Sequence, residues 1–138
     1  MAAARSLAGQ NLAMLALPGD IPLLTSGDVR DLLAAHQDSP AFTIVPARNF
    51  QGSNAVIASP ADAVPLRFGE NSFYPHLVAA EAQGIKPLIV RRASIELDID
   101  TPDDLAAFER IPSPTRAYRL LARWRSGDNH ALRAGTSE

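Results

Sequence analysis

A chain of 138 residues, 46% hydrophobic and 20% charged, has the size of one ordinary domain and can bury a real core, which excludes a disordered polymer. Its formal charge of -2 supplies no basic field to draw it to nucleic acid or an anionic membrane, so partners must be read from individual sites. With no cysteine it carries neither a disulfide framework nor a thiolate metal site, and the apolar run Leu12 to Leu17 is far too short to span a bilayer, so a cytoplasmic protein is the default expectation.

Asn11 to Leu17 (NLAMLAL) is continuously apolar and stops at Pro18-Gly19, the pattern of a strand buried on both faces; it predicts a central parallel strand. Thr25-Ser26-Gly27-Asp28 has the spacing of a capping box, and Val29, Leu32, Leu33 and His36 recur at helical intervals, which predicts a helix from Ser26 to His36. Phe42 to Val45 and Asn54 to Ala58 are short apolar strands, separated by a polar loop, Ala47 to Ser53, that carries Arg48 and Gly52. Phe73 to Gln83 has a helical pattern with Ser72 or Asn71 as its N-cap, closed by Gly84 because glycine tolerates the left-handed conformation. Pro87 to Arg91 and Ser94 to Ile99 read as two further strands. Thr101 then caps a helix that has Pro102 at its first position and Asp104 three residues after the cap.

Beyond Ile111 a Pro-Ser-Pro break introduces a basic helix, Thr115 to Arg125, with Ala117, Leu121 and Trp124 on one side; residues 126–138 are expected to fray. Strands alternating with helices favour an α/β fold, a three-layer α/β/α sandwich with a mostly parallel sheet. Residues 1–111 would form its body and 112–138 a basic helical tail.

In an open α/β sheet, ligands bind outside the carboxyl ends of the strands, so polar residues just after apolar strands are the candidates. They are Asp20, the turn Gly52-Ser53-Asn54, the turn Phe68-Gly69-Glu70-Asn71-Ser72-Phe73, and the pair Asp98 and Asp100. On a strand, residues two apart point to the same face, so Asp98 and Asp100 would repel each other unless a divalent cation lay between them. Magnesium accepts one or two carboxylates together with substrate phosphate oxygens, and Asp20 would complete such a hard-oxygen site. Asp103 and Asp104 are read instead as first-turn acids that interact with a helix dipole. The two glycine- and serine-bearing turns offer backbone N–H groups and hydroxyls suited to a phosphate or carboxylate, and the second opens a helix.

Several other polar residues have plainer readings. His76 is taken as a partly buried structural histidine, Arg48 as a surface charge or a phosphate contact, and Arg91 and Arg92 as strand-end charges somewhat less suited to phosphate. Arg116, Arg119, Arg123 and Arg125 form a basic face, opposite Trp124, on a helix expected to pack on the body or on a second subunit.

Taken together and in this order, "LPGDIPLL", "GSNAV", "FGENSF" and "LDIDTPDDL" resemble the 2-phospho-L-lactate guanylyltransferase family of deazaflavin coenzyme biosynthesis, over roughly Asn11 to Phe108. That family belongs with the nucleotidyltransferases related to the molybdenum-cofactor guanylyltransferases. The resemblance implies that Asp20, Asp98 and Asp100 are catalytic and hold Mg2+, and that Ser53, Gly69 and Ser72 bind a phosphorylated three-carbon acid: 2-phospho-L-lactate, phosphoenolpyruvate or 3-phosphoglycerate. It also implies GTP as the second substrate, with the acid's phosphate attacking the α-phosphate and pyrophosphate leaving.

Family members begin with a strand and a Gly- and Arg/Lys-bearing loop that cradles the GTP phosphates, and this chain shows no counterpart. The resemblance therefore implies an N-terminally truncated domain, which a truncated gene model, a mis-assigned start codon or a split protein with a separate N-terminal half would each explain; a homodimer is the other partner expected. The alternative function is a catalytically inactive remnant or interaction module that retains the acid pocket. A molybdopterin or sugar nucleotidyltransferase is a third possibility, against which the FGxxSF turn argues. Neither nucleic acid nor membrane is expected as a partner.

Overall fold

Every residue of β2 (Ala41–Pro46) and β3 (Ser53–Ser59) is buried. The connection between them, residues 47–52, is too short for a crossover, so the two strands fold back as an antiparallel hairpin. The computed structural model describes residues 2–10, 12–69 and 71–126. The chain divides into two compact units, Met1–Asp98 and Ile99–Glu138.

In the first unit α1 (Ala2–Ala8) precedes β1 (Met14–Ala16), which pairs antiparallel with β3, while β4 (Leu88–Ile89) pairs parallel with β2. The strand order is β1-β3-β2-β4. Among the described residues the sheet is therefore mixed, not mostly parallel as the alternation of elements predicted. The reason is connectivity: a short loop dictates a hairpin, and only the longer path through β3 and the following helix brings a strand back parallel to β2. The run from Asn11 to Leu17 also differs from expectation. Among the described residues only Met14–Ala16 of this run pairs, and it stands at an edge instead of in the centre. Its two-sided apolar pattern is nonetheless used, since Leu15 and Leu17 pack into one cluster and Ala16 into another.

The strand period of two divides the core between the faces of the sheet. Phe42, Ile44, Val56 and Ala58 join Val64, Phe73, Ala80 and Ile85, so that α3 (Phe73–Ala82) supplies the cover on one side. Val45, Ala55 and Ile57 join Ile21 of the loop after β1, Leu32 of α2 (Ser26–Ala35) and Ile95 of α4 (Ala93–Glu96) on the other. Each large side chain so buried contributes about 1.5–3 kcal/mol. Together they favour this hairpin over alternative pairings.

The helix ends follow the sequence closely. Thr25 and Asp28 form the expected capping box, with the Asp28 N–H donating to Thr25 Oγ1 at 3.1 Å and the Thr25 N–H to Asp28 Oδ2 at 2.9 Å. Helix α3 stops at Gly84, whose φ of +73° is left-handed; the Gly84 N–H donates to the Glu81 carbonyl at 2.8 Å and the Ile85 N–H to the Ala80 carbonyl at 3.0 Å. These two bonds satisfy carbonyls that a helix end leaves unpaired.

The predicted strand from Ser94 to Ile99 is not formed. Ala93–Glu96 is a helical turn, and residues 97–100 have no regular structure. Local bonding explains this: the Ile95 N–H reaches the Arg92 carbonyl at 2.8 Å, and the Glu96 carboxylate turns back to accept the Arg92 N–H at 2.8 Å. A closed turn with a charge-assisted bond outweighs the strand preference of Ile95.

The second unit contains α5 (Pro102–Glu109) and α6 (Arg116–Arg125). Thr101 and Asp104 form the expected capping box, and the Tyr118 N–H donates to Thr115 Oγ1 at 3.2 Å at the start of α6. Phe108 and Tyr118 meet edge to face, 5.9 Å between ring centroids. Arg125 Nε lies 2.7 Å from Glu109 Oε1, a close ion contact without hydrogen-bond alignment. Trp124, placed on the packing side by its spacing, is 62% exposed. Residues 127–138, expected to fray, lie outside the described residues. Among the described residues no helix is long and apolar enough to cross a membrane.

Candidate functional site

Ser53 opens β3 and is buried there, and Ser72 stands at the N-cap of α3. A serine at that position ordinarily caps with its hydroxyl. Here the Ser72 backbone is already helical and its side chain makes no cap bond. The hydroxyl instead donates to Ser53 Oγ at 3.2 Å. One turn further along α3, His76 is 1% exposed and sets its Nδ1 2.9 Å from the same Ser53 oxygen. Its Nε2 accepts the Arg67 N–H at 2.9 Å.

An amide N–H can only donate, so Nε2 carries the lone pair and Nδ1 the hydrogen. His76 thus donates to Ser53. The rings of Phe42 and Phe68 stand 6.2 and 5.5 Å from the imidazole, and burial lowers its pKa, which keeps it neutral.

The two turns singled out from sequence are therefore joined through one buried polar chain. Gly69 lies on the second of them with a φ of +120°, a conformation that side-chain-bearing residues rarely adopt, and Asn71 follows with a φ of +56°. Glu70, between them, lies outside the described residues. Behind the first turn, Asn54 Nδ2 donates to the Ile95 carbonyl at 2.9 Å and ties the start of β3 to α4.

The acids are disposed differently. Asp20 is exposed in the loop after β1, Asp98 is half-buried at the end of the first unit, and Asp100 is exposed in the second. Because no strand forms at residues 97–100, the same-face relation drawn for Asp98 and Asp100 does not hold in that form. Their carboxylate oxygens are the donor type that suits magnesium. Among the described residues, however, no three Asp, Glu, His or Cys side chains are gathered so as to hold a metal ion.

Arg91 and Arg92 are occupied internally. Arg91 makes a two-pronged contact with Glu96, 2.7 Å for each bond, and its guanidinium lies 4.5 Å over the Phe50 ring. That contact, with the Arg92 N–H, holds the Glu96 carboxyl below the usual range against the opposing effect of burial. Arg92 pairs with Asp31 and stands 3.6 Å from Asp28. Burial would raise the Asp28 pKa, but bonds from Thr25 and Ser94 together with the Arg92 charge lower it. Arg48 belongs to the exposed loop that its own N–H anchors to the Glu96 carbonyl at 2.9 Å.

His76 is thus more deeply buried, and more closely tied to both turns, than its helical position suggested. Its spacing of four from Ser72 was the available signal, since residues i and i+4 share a helix face. His36, read only as part of the helical pattern of α2, likewise bonds to Thr43 and Ser59.

A protein-family model described as guanylyl transferase CofC like matches residues 4–125. The chain belongs to the CofC-like guanylyl transferase family. It is 39% identical to a phosphoenolpyruvate guanylyltransferase of Rubrobacter xylanophilus over 97 residues, 70% of this chain and 47% of that relative. A 3-phospho-D-glycerate guanylyltransferase of Colwellia psychrerythraea is 32% identical over 113 residues, 82% of this chain and 53% of the relative. A 2-phospho-L-lactate guanylyltransferase of Methanothermobacter thermautotrophicus is 34% identical over 108 residues, 78% of this chain and 47% of the relative. The chain spans about half the length of these curated relatives. Within this CofC-like chain the turns at Ser53 and Ser72 fall inside the matched residues, as do the three acids.

Proposed function

We propose that this chain supplies the acid-binding part of a guanylyltransferase that moves GMP from GTP onto a phosphorylated three-carbon acid in deazaflavin coenzyme biosynthesis. The acid is phosphoenolpyruvate, 3-phosphoglycerate or 2-phospho-L-lactate. The observation that carries this reading is the buried Ser72–Ser53–His76 chain joining the two anion-suited turns, in a member of this family. A phosphate oxygen of the acid attacks the α-phosphorus of GTP, the bond from that phosphorus to the bridging oxygen breaks, and pyrophosphate leaves. Both reactants are polyanions, so the protein's part is to position them and offset their charge. Ser53, Ser72 and the backbone at Gly69 hold the acid.

Magnesium on Asp20, Asp98 and Asp100 belongs to the same reading, supported by the hard-oxygen donor type of these residues. When bound it supplies charge neutralisation. In the complete domain, a three-layer and mostly parallel sandwich, residues 1–111 would be the carboxyl-terminal portion and 112–138 a tail. The GTP-binding front would come from a preceding stretch, a separate half or a second copy. A cytoplasmic location fits substrates of this kind.

A second reading is a binding module that keeps the acid pocket without turnover, since the Ser72–Ser53–His76 chain needs no metal to form. Calorimetry with GTP and with each of the three acids, in magnesium, separates the two, alongside an assay of pyrophosphate release. An enzyme binds both classes of ligand and releases pyrophosphate; a module binds an acid and ignores GTP. Failure to bind any of the three acids would overturn both.

A further inference from the structure

Proton accounting along the Ser72–Ser53–His76 chain leaves one hydrogen without a home. A serine hydroxyl has two acceptor lone pairs and one O–H to give. Ser53 Oγ accepts from the Ser72 hydroxyl at 3.2 Å and from His76 Nδ1–H at 2.9 Å, which fills both lone pairs. Among the described residues the Ser53 proton itself meets no acceptor. A buried donor left in this state costs about 1–3 kcal/mol, so a ligand oxygen that takes it up is favoured.

We propose that His76 is a positioning residue for the acid. Its Nδ1–H holds Ser53 as an outward hydroxyl donor to a substrate oxygen, while its Nε2 pins the Arg67 amide and with it the turn that carries Gly69 and Ser72. This inference rests on the reading of the turns as an acid site given above. The tautomer decides the polarity of the pocket. With the hydrogen on Nε2, the Arg67 N–H would face another N–H, and Ser53 would have to spend its proton on Nδ1. A carboxylate or phosphate arriving at Ser53 would then meet lone pairs instead of a donor. The neutral Nδ1–H form makes the same three side chains attract an anion. Phe42 and Phe68 favour that form by keeping water from the ring.

The two nitrogens can be tested separately. In His76→Asn the amide N–H sits near the place of Nδ1, keeping the donor to Ser53; in His76→Gln the amide oxygen sits near the place of Nε2, keeping only the anchor to Arg67. Phosphoenolpyruvate affinity, measured by calorimetry on the full chain, should fall about tenfold or more in His76→Gln and in Ser53→Ala. The double variant should be no weaker than Ser53→Ala alone, and His76→Asn should stay within about threefold of the parent. Unchanged affinity in a folded His76→Gln, or losses that add in the double variant, would overturn the role. If His76→Gln does not fold, nitrogen NMR of the unsubstituted protein still decides: a protonated Nε2 alongside normal acid binding sinks the role of His76 alone. An unsubstituted chain that binds none of the three acids sinks the functional reading, and this inference with it.

Discussion

His36 Nε2 lies 2.7 Å from Ser59 Oγ, and through its Nδ1, 2.8 Å from Thr43 Oγ1, the same ring laces the C-cap of α2 to both strands of the central hairpin. One ring nitrogen of a neutral imidazole donates and the other accepts, so both hydroxyls are served without a charge. Burial lowers the pKa of His36 as it does that of His76.

The sign of the resulting pH dependence follows from which state takes up protons. Below the ordinary value of 6.5 the unfolded chain protonates these two histidines while the folded chain resists. Their contribution to stability is therefore complete above 6.5 and is lost progressively as pH falls from there to the lower folded-state values. Urea unfolding from about pH 8 to about pH 5 should show stability dropping with acid, and His36→Gln should flatten the slope. A profile that is level across this window would contradict the burial of both rings.

Glu96 accepts from Arg91 Nε, Arg91 Nη2 and the Arg92 N–H while only 7% exposed. Glu96→Gln should destabilise the first unit by about 1.5–3 kcal/mol at neutral pH, since charge-assisted bonds are replaced by weaker ones around a guanidinium. The folded pKa is depressed, so the contribution of Glu96 is present above the ordinary 4.5 and is lost as pH falls from there through the lower folded value. The cost of the substitution should shrink below that pH. Denaturant midpoints for the two proteins at neutral and acid pH check both statements.

Much of this arrangement was legible in the residues themselves. The capping boxes at Thr25 and Thr101, the glycine stop at Gly84 and the two buried strands depend on short-range rules, and all of them stand where the local pattern put them. The turns at Ser53 and Ser72 were visible only weakly, because glycine, serine and asparagine are ordinary loop residues, one turn leading into β3 and the other into α3. What the pattern missed depends on which side chains and strands meet, near or far along the chain. Met14–Ala16 reads as a central strand until its antiparallel pairing with β3 is known. Ser94 to Ile99 reads as a strand until Glu96 is seen closing a turn on Arg91 and Arg92. His76 reads as an ordinary core histidine until Ser53, 23 positions earlier, is found against its Nδ1.

Gly84 and Gly69 share a backbone requirement but differ in what surrounds them functionally. Both have positive φ, +73° and +120°, with no atom near enough to obstruct a Cβ, so alanine at either is penalised by conformation alone. Each substitution should cost about 1–2 kcal/mol of stability. Only Gly69→Ala should also weaken phosphoenolpyruvate, because its amide belongs to the proposed acid turn. Equal affinities for the two variants, measured on folded protein, would remove Gly69 from the site.

The proposed function gives the acidic run from Asp98 to Asp104 two tasks that mutation can pull apart. Thr101 and Asp104 exchange bonds at the start of α5, the Asp104 N–H donating to Thr101 Oγ1 at 3.3 Å and the Thr101 N–H to Asp104 Oδ2 at 3.0 Å. Thr101→Ala should therefore cost about 1 kcal/mol and speed hydrogen exchange in α5, with no direct effect on chemistry. Asp98, half-buried and ahead of the cap, has no part in that helix start, and Asp20 is exposed. Asp98→Asn and Asp20→Asn should leave stability within about 0.5 kcal/mol. In the complete enzyme, pyrophosphate release at saturating magnesium should fall about a hundredfold or more, the scale on which groups that offset transition-state charge act. Full turnover in either Asn variant, or a loss in Thr101→Ala that matches them, would show that this run of acids serves the helix and not the reaction.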